Sequence, residues 1–223
     1  MQSIYNLSKE ELGQYFINKG DKPYRATQIF EWLYRFEVRS FGEMTNQKKS
    51  VIATMEEDFS LDLLTLKERQ ISSDGTEKFL FELKDGHFIE TVLMNHVYGN
   101  SLCVTTQVGC NMGCVFCASG MYKKVRNLET SEIVLQIMSV QKIIGKKITH
   151  VVIMGIGEPF DNYENVIRFM KIINEAKGLE IGARHISVST CGLVPKIKEF
   201  SNVTLRLVLS IYSFNVGIKI SNG

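Results

Sequence analysis

From Leu102 onward the chain alternates strand-like and helical runs, and this alternation limits the possible folds more than any other feature of the sequence. LCVTTQV, HVVIMGI, HISVST and LRLVLSI are short runs rich in β-branched residues, while SEIVLQIMSVQKII, YENVIRFMKIINEA and VPKIKEF between them place apolar residues at helical spacing. Strands separated by helices of this length pair in parallel with right-handed crossovers, which predicts an α/β fold. Upstream the period differs. Ser8 and Glu11 are spaced as a capping box ahead of Leu12, Tyr15, Phe16 and Ile17, a second helix starts at Pro23, and a third covers Lys48 to Phe59. Three strand-like runs follow, LKERQISS, TEKFLFELKD and HFIETVLM, separated by Asp74-Gly75 and Asp85-Gly86, so a three-stranded meander is expected. The loop-like HVYGNS then divides an N-terminal part, residues 1–95, from a core, residues 96–223.

Among 223 residues, 44% are hydrophobic and 22% charged, enough to build a sizeable core. A net charge of +2 neither demands nor excludes a polyanionic partner, so a case for nucleic acid rests on local clusters. Lys123, Lys124 and Arg126 form one such cluster, with Lys146 and Lys147 further on. The N-terminal helices add Lys19, Lys22, Arg25, Arg35 and Arg39, interleaved with Tyr24, Trp32 and Tyr34. No apolar run approaches the ~20 residues that span a bilayer, and MQSIYNLSKEEL lacks a signal segment, so a cytoplasmic protein without a membrane partner is expected. In a reducing compartment its five cysteines favour metal or redox chemistry over disulfides.

Three of those cysteines, Cys110, Cys114 and Cys117, fall within GCNMGCVFC, where glycines let the backbone approach the sulfurs. A structural zinc site is normally closed by four ligands and would need Cys103, Cys191 or a histidine. An iron–sulfur cluster is also usually held by four cysteines, but one held by three leaves an iron open for another molecule. Were LCVTTQV one strand, Cys103 would lie up to about 23 Å from Cys110, a poor fourth ligand. Further on, GIGEP follows a predicted strand and places Gly155, Gly157 and Glu158 at its carboxyl end, where α/β sheets form ligand sites. Glu158 has the chemistry to accept hydrogen bonds from an ammonium group.

CNMGCVFC has the CxxxCxxC form, with an aromatic residue before the last cysteine, of radical S-adenosyl-L-methionine (SAM) enzymes. LCVTTQVGCNMGCVFCASG, RNLETSEIV, GIGEPFDNYENV and STCGLVP together resemble the RlmN/Cfr family of radical-SAM rRNA adenine methyltransferases, as do GDKPYRATQIFEWLYR and IETV. The similarity runs from about residue 8 to about residue 209, and GEP brings it closer to the RlmN branch. The resemblance implies a partial (β/α) radical-SAM barrel, its first half only, preceded by a small helical and β-hairpin RNA-binding accessory domain. It implies a 4Fe-4S cluster on Cys110, Cys114 and Cys117. It also implies a methionine-end SAM site at Gly157 and Glu158, with Ser189 and the stretch Ser210, Ile211, Tyr212 as further SAM contacts. Glu90 matches a proton acceptor and Cys103 a cysteine that resolves a covalent RNA–enzyme intermediate, whereas Cys191 has no such role and reads as structural. The implied partners are 23S rRNA, with tRNA as a second substrate, and an electron donor such as flavodoxin or ferredoxin.

The match breaks near the end. The family's usual SLHA appears as Ser210-Ile211-Tyr212-Ser213, and FNVGIKISNG no longer resembles the family. No cysteine follows Cys191, so the methyl-carrying cysteine of the family reaction is missing, and a truncated or divergent chain unable to complete methyl transfer alone is expected. The last strand, LRLVLSI, would be an unpaired apolar edge. Two rival readings remain: a Cfr-like enzyme acting on C8 of adenine, and a zinc-stabilised RNA-binding module without catalysis.

Overall fold

The structure, a computed structural model, describes residues 1–114, 117–201 and, as backbone, 208–211. β1 (Gln2–Ser3) leads into α1 (Lys9–Asn18), α2 (Tyr24–Tyr34) and α3 (Lys49–Asp58), and β2 (Phe59–Ser60) returns to pair in parallel with β1. The predicted capping box forms: Ser8 Oγ accepts from Glu11 N at 3.2 Å, and Glu11 Oε2 accepts from Ser8 N at 2.8 Å. Leu12, Phe16, Ile29, Phe30, Leu33 and Met55 pack into a local core.

β3 (Thr65–Ile71), β4 (Glu77–Glu82) and β5 (Phe88–His96) form the expected antiparallel meander. Gly75 and Gly86 take the positive φ values, 81° and 83°, that each Asp-Gly turn requires. β6 (Gly99–Val104) is followed by β7 (Gln107–Val108), β8 (Arg126–Asn127), α4 (Thr130–Ile144), β9 (His150–Ile153), α5 (Tyr163–Asn174), β10 (Ile186–Thr190), α6 (Val194–Phe200) and β11 (Val208–Ile211). One sheet takes seven of these strands in the order β11-β10-β9-β6-β5-β4-β3. Its four parallel strands and the antiparallel meander are continuous, because β5 pairs with β6 from Val92↔Cys103 to His96↔Gly99. The expected loop HVYGNS is thus the tip of a hairpin between the two parts.

LCVTTQV is not one strand. Thr105 Oγ1 donates to Glu90 O at 2.6 Å, while the Thr106 and Gln107 amides both point at Ile156 O, at 3.0 and 3.1 Å. These bonds take the chain out of the sheet after Val104, so Gln107–Val108 pairs with Arg126–Asn127 instead.

Phe79, Phe81, Leu93, Leu102, Val151 and Ile153 are buried on one sheet face, the face that carries the helices. On the other face Leu80, Glu90, Val92, Cys103, Val152 and Ser187 are only half-buried. Four parallel strands with helices on one side and an open concave face on the other make a partial (β/α) barrel. β11 is terminal in this sheet among the described residues.

Gln136, fully buried on α4, locks that helix onto the sheet: its Oε1 accepts from Thr91 Oγ1 at 2.7 Å and Thr105 N at 2.8 Å, and its Nε2 donates to Thr105 O at 2.9 Å. Gln136→Leu leaves all three partners buried and unpaired, so a loss of about 3 kcal/mol is expected in urea unfolding. A loss under ~1 kcal/mol would show that water or rearrangement satisfies them.

Candidate metal and cofactor site

The chain leaving β6, β9 and β10 emerges at one end of the sheet, and there it encloses a cavity of about 240 Å³. Cys110, Cys114 and Cys117 lie along one wall, Gly155, Gly157 and Glu158 form a second, and Ser189, Thr190 and Cys191 a third. A larger cavity, about 680 Å³, lies between the N-terminal segment and α4 and contains none of the predicted site residues.

The cysteine loop is closed at its base by the β7–β8 pair. Gly109 holds φ +75°, and a Cβ there would overlap the Lys123 carbonyl. Above this close approach Cys110 N donates to Tyr122 O at 2.9 Å, Lys124 N to Asn111 Oδ1 at 3.0 Å and Cys117 N to Cys114 O at 3.0 Å. Burial pushes the Cys110 thiol up, and Cys114, Cys117 and Glu158 add to the effect, opposed by the Met112 N–H. Cys110 and Cys114 are half-buried and Cys117 is exposed. Among the described residues no three His, Cys, Asp or Glu side chains stand at metal-ligand spacing. Three thiols facing one cavity nevertheless suit a thiophilic centre, and holding one requires the loop to contract around it.

The opposite wall depends on close packing. Gly155 donates to Val104 O at 3.0 Å, and a Cβ on it would stand 2.7 Å from that oxygen. Gly157 has φ +103°, and a Cβ there would meet Gln107 Cβ at 2.5 Å. Gln107 in turn accepts from Glu158 N at 2.9 Å. Glu158 itself is 3% exposed. Its Oε1 accepts from Phe160 N at 3.0 Å and Thr190 Oγ1 at 2.7 Å, and its Oε2 from Cys191 N at 2.8 Å. The carboxylate expected to meet a ligand ammonium therefore already ties the GIGEP turn to the end of β10.

Ser189, almost fully buried on β10, lines the cavity as expected. Ser210 and Ile211 extend the ladder beside Ser189 and Thr190, and Tyr212 lies outside the described residues. Cys191, read from sequence as structural, faces the same cavity as the three loop cysteines. Its thiol is pushed up to about 12 by burial and by its hydrogen bond to Glu158. A cysteine at the end of a predicted strand, in the same register as GIGEP, was the available signal.

Glu90 and Cys103 lie outside the cavity lining but on the sheet face that leads to it. Glu90 Oε1 stands 3.1 Å from Lys78 Nζ. Val92, two residues along β5, is paired with Cys103. Burial raises the Cys103 thiol, opposed by the Met154 backbone N–H.

Several of the basic residues named from the sequence pair with carboxylates. Lys124 Nζ is 2.7 Å from Asp161, and Arg126 bridges Asp85 at 2.6 Å and Glu132 at 2.7 Å. In the helices Arg25 is buried against Asp21 and Gln47, Lys19 pairs with Asp58, Arg35 with Glu31, and Tyr34 is core. Each of these cations thus pairs with a carboxylate of the same chain, several of them at the surface. The Lys124 ammonium, with the Gln107 amide, holds the Asp161 carboxyl below the usual carboxylate range. A depressed folded pKa means that this tether contributes fully above about pH 4 and is lost as pH falls through the lowered value. The stability difference between wild type and Asp161→Asn should therefore shrink in urea titrations below about pH 4. A difference independent of pH would remove the tether.

Residues 104–218, more than half of the chain, match the Radical SAM superfamily. The chain belongs to that superfamily. Membership implies the 4Fe-4S cluster and SAM expected from the cysteine motif. Residues 2–61 match the ribosomal RNA large subunit methyltransferase N-terminal domain. The chain is 54% identical over 226 residues to a probable dual-specificity RNA methyltransferase RlmN of Streptococcus thermophilus (strain CNRZ 1066), covering 98% of this chain and 58% of that protein. To the protein of the same description from Enterococcus faecalis it is 53% identical over 227 residues, covering 99% and 64%. The crystal structure of a radical SAM methyltransferase from Sphaerobacter thermophilus superposes with a TM-score of 0.85 at 39% identity, covering 95% of this chain and 63% of that one. The chain thus spans about three-fifths of the length of the curated relatives it matches. No helix among the described residues is long and apolar enough to cross a membrane.

Proposed function

We propose that the chain is the cluster- and cofactor-binding portion of a radical-SAM methyltransferase acting on C2 of adenine in 23S rRNA, with tRNA as a second substrate, in the cytoplasm. The observation that carries this reading is the meeting of the cysteine loop and the GIGEP turn at one cavity beyond the carboxyl ends of parallel strands. Cys110, Cys114 and Cys117 would hold a 4Fe-4S cluster. Gly157 gives the backbone room to approach SAM, Glu158 fixes the turn that presents it, and Ser189 offers a hydroxyl from the next strand. Ser210, Ile211 and Tyr212 would extend that contact. When bound, the cluster and SAM supply one-electron reductive cleavage, with the electron drawn from a donor such as flavodoxin or ferredoxin.

Glu90 would accept a proton and Cys103 would act as the resolving thiol, both from the open sheet face. Lys78 lies within ion-pair distance of the Glu90 carboxylate, while the Met154 N–H faces the Cys103 sulfur. Residues 1–95 would serve as the RNA-binding accessory part and 96–223 as the radical-SAM core, joined through the β5–β6 pairing. The test is anaerobic reconstitution of the full chain with iron and sulfide. A brown protein with roughly four irons that retains SAM in equilibrium dialysis is expected. A colourless protein holding zinc would overturn the assignment.

A further inference from the structure

At the end of the sheet away from the cysteine cavity, four rings stand in file. His96 at the end of β5, Tyr98 in the β5–β6 turn, His150 at the start of β9 and His185 just before β10 meet at the N-terminal ends of the parallel strands. His96 and Tyr98 stack at 4.7 Å with planes 13° apart, Tyr98 meets His150 edge-on at 5.1 Å, and His150 stacks on His185 at 4.3 Å. Three of the chain's four histidines are in this file, so it is not a chance scatter of imidazoles. Core packing does not account for it either, since Tyr98 is 67% exposed and its neighbour Val97 wholly so.

Cations adjoin the rings along the chain. Lys146 and Lys147 lie in the loop before β9, fastened to β6 by Asn100 Nδ2 donating to Lys147 O at 2.8 Å, and Arg184 adjoins His185. None of the three forms an ion pair among the described residues, unlike Lys124 and Arg126. The nearby acids are engaged elsewhere. Asp74, in the turn whose Gly75 carbonyl accepts from Asn95, takes up Thr76 N and Oγ1, and Glu180 faces Arg35. Burial lowers the His150 pKa, with His185 and His96 adding to it.

We propose that this pole binds single-stranded RNA, with Tyr98 and the flanking imidazoles stacking against bases and Lys146, Lys147 and Arg184 contacting phosphates. Unpaired bases stack on exposed rings whatever their sequence, and uncompensated cations beside those rings are placed for the backbone that links such bases. The inference rests on the RNA-substrate reading and adds a second contact, separated from the cavity by the six residues of β6, about 20 Å. One RNA molecule is long enough to touch both.

The test is fluorescence anisotropy of the full chain with a short, mixed-sequence, fluorescein-labelled single-stranded RNA, with thermal melting as the control for folding. The triple variant Lys146→Glu, Lys147→Glu, Arg184→Glu is expected to bind at least tenfold more weakly and to lower the slope of log affinity against log salt by about two. Tyr98→Ala should weaken binding about tenfold with the salt slope unchanged. Affinity within twofold of wild type in both variants would overturn the assignment of this pole and leave the RNA reading standing. So would a triple variant that keeps its RNA affinity but no longer binds flavodoxin. If the wild-type chain binds no RNA, both fall.

Discussion

Cys114→Ala is expected to give a folded chain that takes up no iron–sulfur cluster. The loop's shape depends on backbone and Asn111 bonds, from Cys110 N to Tyr122 O and from Lys124 N to Asn111, and none of them uses a cysteine sulfur. Replacing a half-buried thiol by a methyl group should therefore change stability by no more than about 1 kcal/mol. The chemical effect is of another order, because a centre held by three thiolates loses one of only three protein bonds. After anaerobic reconstitution the variant should show iron near zero and no absorption near the visible band of a cluster, with an unchanged melting temperature. Full iron content in Cys114→Ala, coupled with loss of iron in Cys191→Ala, would transfer the ligand role to Cys191, which faces the same cavity.

The second large effect falls on Glu158. Its carboxylate accepts from Phe160 N, Thr190 Oγ1 and Cys191 N while almost wholly buried. Glu158→Ala strands three donors, each costing about 1–3 kcal/mol when left unpaired in a dry site, and a loss of roughly 3–5 kcal/mol is expected. Glu158→Gln should cost about half as much, since its oxygen still serves Phe160 and Thr190 while its amide group opposes the Cys191 N–H. Urea unfolding of the two variants measures both. Because the GIGEP turn and the end of β10 separate without this carboxylate, SAM retention should fall in parallel. A stable Glu158→Ala chain with intact SAM binding would mean the three bonds are dispensable.

How much of this was legible beforehand depends on the range of the interactions. The capping box at Ser8 and the Asp-Gly turns at Gly75 and Gly86 were readable because their partners lie within a few residues. The alternation after Leu102 gave the parallel strands for the same reason. What periodicity could not show was a side-chain bond that bends the chain. LCVTTQV read as one strand because the bond from Thr105 Oγ1 to Glu90 O joins residues 15 positions apart. The pairing of the basic residues was hidden for a similar cause: Lys124 meets an acid 37 positions away and Arg126 one 41 positions away. Cys191 read as structural because its link to Glu158 spans 33 positions. The motif cysteines, Gly157 and Ser189 were legible through resemblance, and the structure gathers them at one cavity.

The hairpin tip at Val97 and Tyr98 sets the phase between the Glu90 and Cys103 side chains. β6 is anchored on its other flank by β9, so its parity is fixed, and the β5 register depends on a turn of two residues. One residue inserted there would rotate β5, with β4 paired to it, by half a period and turn the Glu90 carboxylate onto the face that carries α4, while Ile89 and Thr91 came out onto the open face. The length of this tip, remote from every thiol of the metal loop, thus determines whether the Glu90 carboxylate and the Cys103 thiol share one surface.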